Sequence, residues 1–240
     1  MRRAGNAAVA VERLGDGALV ALGPGRYVNR AIGVGPELED SDLDVIEQFF
    51  THRGLRASAQ LTSWASEATL DRLATRGYRP QWFRSVFAAS LPRPDVAPPL
   101  DSIEIVHVGD RNVEEWLDVL ADGNEITTVE GRAISDEFGL GAHSAVGSAD
   151  FLAVVDGHAF GCGSLQVASG VGWLGGAATR PRHRRRGAQG ALLRHRIRLA
   201  TEVGCDFVAS TALPTTASAR NLRRHGLHLV DTQLVMSLPE

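Results

Sequence analysis

Apolar residues recur along this chain with two periods, and the changes of period mark its elements. Tyr27–Gly35 and Ala57–Thr62 read as strands, and Ser41–Arg53 as an amphipathic helix closed by Gly54. Ser66–Arg76 is a helix closed by Gly77, and Trp82–Leu91 a strand. Leu91–Leu100 holds four prolines in ten residues, which neither a helix nor a central strand accommodates. This segment is read as a linker that divides the chain into residues 1–97 and 98–240.

The second part opens with a strand at Ser102–Val108. Asp110 is placed to cap a helix running to about Ala121, with Val113, Trp116, Leu117 and Leu120 on one face. Residues 122–149 are ambiguous, with a short helix expected around Arg132–Phe138. Phe151–Val155 and His158–Val167 flank Asp156-Gly157, a tight hairpin signal, and Ser169-Gly170 turns into the strand Val171–Thr179. Leu193, Ile197 and Ala200 mark a helix over 187–203 that Gly204 stops. Phe207–Ser210 is a short strand, Thr216–His225 a helix ended by Gly226, and Leu227–Leu238 a final strand or strand pair.

The phrase helix–Gly–strand occurs in both parts. Leu73-Ala74-Thr75-Arg76-Gly77-Tyr78 lies over Leu222-Arg223-Arg224-His225-Gly226-Leu227, and Leu91-Pro92 over Leu238-Pro239 after a small indel. This order of elements is read as an internal duplication.

Composition narrows the function. In 240 residues, 44% are hydrophobic and 22% charged, the profile of a globular chain. A formal net charge of −3 argues against a general electrostatic nucleic-acid binder. Cys162 and Cys205 have neither CxxC spacing nor a nearby His pair, so no disulfide framework or metal site is expected. All 25 basic residues are arginine, which excludes a lysine Schiff base or a P-loop lysine. Ala7–Leu14 is short and interrupted by Glu12 and Arg13, so neither a leader nor a membrane span is expected and the cytoplasm is the default location.

The segment that carries chemistry is Thr179-Arg180-Pro181-Arg182-His183-Arg184-Arg185-Arg186-Gly187-Ala188-Gln189-Gly190. It leaves a strand, crosses a basic loop and enters a helix at two glycines. Unpartnered N–H groups in the first turn, with the helix dipole, suit a pyrophosphate. The spacing is not GxGxxG, and no acidic residue follows about 20 residues later on a strand end, since Asp206, the nearest, precedes its strand. An RNA-binding patch would need aromatic stacking partners, and none lies near the run.

Arg184-Arg185-Arg186-Gly187-Ala188-Gln189-Gly190 resembles the acyl-CoA-binding motif of the GNAT N-acetyltransferase superfamily. That motif reads Gln or Arg, two residues, Gly, one residue, then Gly or Ala. Arg184 and Gly187 match, whereas Gln189 stands where a small residue is usual. Trp173–Thr179 resembles the family's splayed fourth strand, and Ser218–Leu227 its last helix and the turn after it. The resemblance implies an α/β (α+β) fold, a GNAT-like mixed sheet flanked by helices. Together with the repeat, it implies two GNAT-like units in tandem, the first partial. Gly33–Asp42, the equivalent loop of the first unit, carries Glu37, Glu39, Asp40 and Asp42 and no arginine, so that unit is expected not to bind CoA.

The resemblance further implies a function: transfer of an acetyl or other short acyl group from acyl-CoA to a primary amine, most simply a small molecule, by direct attack on the thioester. It assigns acetyl-CoA as co-substrate and no metal. Backbone groups of Ala177, Ala178 and Thr179 would meet the pantetheine arm, and N–H groups from Arg184, Arg185, Arg186, Gly187, Ala188, Gln189 and Gly190 the pyrophosphate. Asn221 would lie near the cofactor. The family's general-acid tyrosine corresponds to Leu222, which has no proton to give. Glu125, Glu130, Asp136, His143 and His158 are candidate bases by region, with none singled out. Arg194, Arg196 and Arg198 are read as a solvated helix face. A non-catalytic acyl-CoA sensor, and a GNAT-fold enzyme using CoA thioesters for other chemistry, are the alternatives. Nucleic-acid and membrane partners are not expected, and the chain is read as a monomer or homodimer.

Overall fold

A computed structural model describes residues 9–92 and 103–239. The linker expected at Leu91–Leu100 lies mostly outside the described residues. The chain forms two compact units: Met1–Ser85 with Asp231–Glu240, and Val86–Val230. The break along the chain falls between Ser85 and Val86, ahead of the division expected at 97–98, and the last ten residues belong to the first unit.

In the first unit, β1 (Val9–Leu14) and β2 (Gly17–Leu22) form an antiparallel hairpin, and β3 (Arg30–Ile32) pairs antiparallel with β2. α1 (Asp40–Thr51) leads to β4 (Ser58–Leu61), which pairs parallel with β3. α2 (Glu67–Thr75) precedes β5 (Arg79–Ser90). Leu19, Leu43, Ile46, Phe50, Leu61 and Leu73 are fully or almost fully buried in this unit's core. The β1–β2 hairpin was not expected from the sequence. Its turn is Gly15-Asp16, with φ 57 at Gly15, followed by the alternation Gly17, Leu19, Ala21, all buried, while β1 itself is largely exposed.

The second unit comprises β6 (Glu104–His107), α3 (Val113–Gly123), α4 (Val129–His143), β7 (Ser148–Val155), β8 (His158–Ala168) and β9 (Val171–Thr179). A 3-10 turn at Pro181–His183 then leads to α5 (Ala188–Glu202), β10 (Phe207–Ala212) and α6 (Ala217–Arg224). β11 (His228–Ser237) starts here and ends in the first unit, where Leu234–Ser237 pair antiparallel with β4. The strand order is β10-β9-β8-β7-β6, antiparallel from β6 to β9 and parallel between β9 and β10. The fold class is mixed α/β, as expected.

Both hairpin turns of this unit have positive φ at their two central residues, Asp156-Gly157 and Ser169-Gly170. Period-2 alternation gives the sheet two apolar faces. Phe151, Ala153, Leu165 and Leu174 pack with Leu192 and Ile197 of α5. Leu152, Val154, Cys162 and Ala178 pack with Trp116 and Val119 of α3.

α4 is 15 residues long, twice the expected helix. Thr128 caps it, its hydroxyl accepting from Gly131 N–H at 3.1 Å. The pattern hid the helix because Gly139 is its buried residue. A Cβ there would lie 2.6 Å from a Leu117 methyl, so the glycine sets how closely α4 approaches α3. Likewise Asn112, not Asp110, occupies the cap position of α3.

Candidate functional site

β9 and β10 begin as a parallel pair and then part. Their register runs Phe207↔Val171, Val208↔Gly172 and Ala209↔Trp173 and ends there, although β9 continues to Thr179 and β10 to Ala212. Ser210 Oγ donates to Leu174 carbonyl at 2.7 Å across the fork. On its other side β9 slips in register against β8 between Cys162↔Ala178 and Ser164↔Gly175. Gly176, with φ +54, stands in this bulge, where a Cβ would meet Ser164 Oγ at 2.3 Å. Gly176 and Ala177 are exposed, so mid-strand backbone is open to a ligand.

The loop from β9 turns at Arg185, φ 66, and enters α5 at Gly187, φ 89. Left-handed backbone at the cap favours glycine, and Gly187 brings no side chain to satisfy the first-turn N–H groups. The arginines divide into two sets. Arg184 donates to Gly123 carbonyl at 3.1 Å and to Glu125 at 3.0 Å, and Arg180 lies 3.3 Å from Asp122. These two hold the C-terminal end of α3, where cations also complement the helix dipole. Arg182, Arg185 and Arg186 are exposed, and among the described residues no hydrogen bond or ion pair engages them. They leave the loop with free positive charge, and burial followed by Arg186, Arg182 and Arg180 pushes the His183 pKa down.

Of the residues singled out from sequence, Ala177, Arg185, Arg186, Gly187 and Gly190 lie on the fork, the loop and the first turn of α5. Ala188 is buried against Gly161, where a Cβ would approach its methyl to 2.9 Å. Gln189 plays a part the sequence did not suggest. Its Nε2 lies 2.7 Å from Ala178 carbonyl, 3.0 Å from Thr179 Oγ1 and 3.2 Å from Cys162 carbonyl. The amide thus fastens α5 to the bulge and occupies the carbonyl of Ala178. Asn221 is half-buried, and its carbonyl accepts from His225 Nδ1 at 2.9 Å. Leu222 is 3% exposed and belongs to the core.

Gly123 escaped the sequence reading. A Cβ there would sit 2.7 Å from Thr179 N, so this glycine lets α3 end directly on β9. Its only signal was the turn-like Asp122-Gly123-Asn124. Arg196 overturns the expected solvated face. It is fully buried and donates to the carbonyls of Leu192, Ser164 and Gly175 at 3.1, 2.9 and 2.9 Å. Gly163 makes room, since a Cβ there would lie 2.6 Å from the guanidinium carbon. Burial lowers the Arg196 pKa to about 10, which leaves it a cation at neutral pH.

The five candidate bases fare differently. Glu125 is tied to Arg184 and Asp136 to Arg132 at 2.8 Å, while Glu130 and His158 are exposed. His143, at the end of α4, has Nδ1 2.7 Å from Asp150 Oδ2. Asp150 is 1% exposed, and its other oxygen has no partner among the described residues, nor does Trp116 Nε1. The His143 ring lies 6.1 Å from that of Trp116. A buried carboxylate accepting from Nδ1 holds the imidazole with Nε2 as its open atom. Asp150 is joined to the bulge by register, pairing with Ser164, which pairs with Gly175. Cys162 is no rival as a nucleophile, because burial pushes its thiol up to about 12. Among the described residues no group of His, Cys, Asp or Glu is placed to hold a metal, and no helix is long and apolar enough to cross a membrane.

Residues 113–227 match the model of the acetyltransferase (GNAT) family. No curated protein matches the chain in sequence. Among solved structures, a GCN5-related N-acetyltransferase from Kribbella flavida is 20% identical, covers 97% of this chain and 90% of its own, and superposes with a TM-score of 0.72. A tandem GNAT protein from the clavulanic acid biosynthesis pathway is 14% identical, with 97% and 85% coverage and a TM-score of 0.62. A GNAT-family acetyltransferase from Colwellia psychrerythraea is 10% identical, with 93% and 81% coverage and a TM-score of 0.60. These likenesses carry the fold, and over residues 113–227, a little under half of its length, the chain matches the acetyltransferase (GNAT) family.

Proposed function

We propose that the second unit transfers an acetyl or other short acyl group from acyl-CoA to the primary amine of a small molecule. The observation that carries this reading is the fork at Trp173 and Ala209, continuous with a loop of unengaged arginines and a helix that opens on bare Gly187. The fork offers backbone groups at Gly176–Ala177 to an amide-bearing arm, and the open first turn of α5 suits a pyrophosphate. A backbone N–H near Ala177 would polarise the thioester carbonyl in the manner of an oxyanion hole. His143, held by Asp150, would take the ammonium proton on Nε2, directly or through water. Buried Leu222 gives no proton, so solvent would protonate the departing thiolate.

We infer further that the first unit is a degenerate copy of the second. β3-α1-β4-α2-β5 repeats the order β9-α5-β10-α6-β11, with a parallel pair in each. The turns after α2 and α6 close alike, through Tyr78 N–H to Leu73 carbonyl at 2.9 Å and Leu227 N–H to Leu222 carbonyl at 3.0 Å. At α1 the helix start is taken by the chain's own acids. Asp42 accepts from Glu39 N–H at 2.9 Å, and Glu39 pairs with Arg72 at 2.8 Å. One acyl-CoA per chain is therefore expected.

The test is CoA thiol release from acetyl-CoA against a panel of small amines, with Gly187→Glu as control. Release that depends on an amine and vanishes in the variant supports the transferase. Tight acetyl-CoA binding without turnover by any amine supports the sensor reading, which the proton-free position at Leu222 favours.

A further inference from the structure

The first unit holds a cavity of about 690 Å³ that the acyl-transfer reading does not use. Arg26, Tyr27 and Arg30 line it from the approach to β3, Arg56 from the approach to β4, Trp82 from β5 and Ser237 from β11. All of these belong to one unit. The cavity sits where β3 and β4 begin, whereas the acid-bearing loop Gly33–Asp42 leaves from the end of β3. Among the described residues three arginines line it, and no carboxylate does.

Arg30 is the informative group. It is 4% exposed. It donates to Gln60 Oε1 at 2.7 Å and to the Tyr27 carbonyl, and its guanidinium lies 5.2 Å from the Trp82 ring and 5.8 Å from that of Tyr27. Every one of these partners is neutral. Among the described residues no carboxylate pairs with Arg30, and Arg84, a second cation, lies 5.4 Å from the same Trp82 ring. Burial first, and then Arg84, lower the Arg30 pKa to about 10, so the group still carries its charge at neutral pH.

A buried cation without a counter-ion is costly, and charges held in this way are paired or ligand-bound. The aromatic faces and two neutral acceptors hold the guanidinium in place but do not neutralise it. With Nε and Nη1 already donating within the unit, Nη2 is left to donate to an anionic oxygen. The volume falls in the range of small-molecule sites.

We propose that this cavity is a binding site for a small organic polyanion bearing carboxylate or phosphate groups, with Arg30 as its buried anchor and Arg56 as a cation at its edge. The site shares no residue with the acyl-CoA loop and stands or falls independently of the transferase reading. Carboxylate and phosphate present the same anionic oxygens to a guanidinium, and the probes separate the two sources.

The experiment is calorimetric titration of the full chain with citrate and, separately, with inorganic pyrophosphate. Wild type is compared with Arg30→Gln, Arg56→Gln and Gly187→Glu, each checked by thermal melting. One site per chain is expected for at least one probe. The tighter probe identifies the source as carboxylate or phosphate. Arg30→Gln is expected to weaken binding at this site more than tenfold and Arg56→Gln several-fold, while Gly187→Glu leaves citrate binding unchanged and removes only the additional pyrophosphate binding at the start of α5. Arg56 is exposed, so its variant keeps the test open even where loss of the buried arginine prevents folding. Absence of binding by either probe at millimolar concentration would overturn the proposal. So would binding lost entirely in Gly187→Glu and kept in Arg56→Gln, which would place the anion at the other loop.

Discussion

Replacing Gly187 by Glu and by Gln separates the two things that this position provides. Gly187 caps α5 at φ 89, so either side chain strains the backbone by about 1–3 kcal/mol. Strain of this size lowers the melting temperature of both variants equally and has no charge dependence. The glutamate adds a carboxylate to the opening where the first-turn N–H groups of α5 face the loop. At about 5 Å from one phosphate charge, with an effective permittivity near 20, repulsion amounts to about 3 kcal/mol, on the order of a hundredfold in Kd. Calorimetric titration with acetyl-CoA, and with CoA as a second ligand, gives the ratio directly. Gly187→Glu is expected to bind about a hundredfold more weakly than Gly187→Gln, and the gap should narrow as salt screens the contact. Equal affinities for the two folded variants would show that no phosphate lies at the start of α5, and the placement of the site would be wrong.

His143→Gln and Asp150→Asn are expected to lower kcat by roughly 100-fold or more, the usual contribution of a positioned base, while acetyl-CoA affinity stays unchanged. Steady-state kinetics on an accepted amine, alongside calorimetry, checks this, and an unchanged kcat would remove the pair from the mechanism. Burial raises the Cys162 thiol to about 12, so native protein at pH 8 should resist alkylation there and react on unfolding. Mass spectrometry that found an acyl group on Cys162 during turnover would contradict direct transfer. Arg196→Met leaves the carbonyls of Ser164 and Gly175 without their donor and should destabilise the chain by about 2–4 kcal/mol in urea unfolding.

What the sequence made legible is local. Glycines with positive φ at 54, 77, 204 and 226 end helices where the pattern stops, and the two-residue turns at 156–157 and 169–170 join strands where it alternates. The loop entering α5 was legible for the same reason, because Arg184–Gly190 is one contiguous stretch. What stayed hidden depends on pairs distant in the chain. Arg196 reads as one of three alternating surface arginines until Gly163, on another strand, makes room for it. His143 reads as one of five candidate bases until Asp150 folds against it, and α4 as no more than a short helix because its buried position is a glycine. The β1–β2 hairpin did carry a signal, Gly15-Asp16, but its outer strand buries too little to show an alternation.

If the two units are copies as proposed, the helix starts at α1 and α5 differ in what each would offer an anion, on the same backbone plan. Any helix start offers N–H groups and a positive dipole end, so the feature alone selects nothing. At α1 the chain supplies its own anions: Asp42 accepts from Glu39 N–H, Glu39 pairs with Arg72, and Asp40 pairs with Arg76 at 2.8 Å. An incoming phosphate there would meet carboxylates already holding the donors and cations it needs. At α5 the corresponding cap is a glycine with nothing to offer, and the acids that do occur nearby, Asp122 at the end of α3 and Glu125 just after it, are occupied by Arg180 and Arg184. That pairing has a second effect. It takes Asp122 and Glu125 out of competition for Arg182, Arg185 and Arg186, which stay available in the loop. On the proposed reading, selectivity for an external anion at α5 would arise from acids that are absent at the cap and acids that are neutralised beside it, and not from the count of arginines alone.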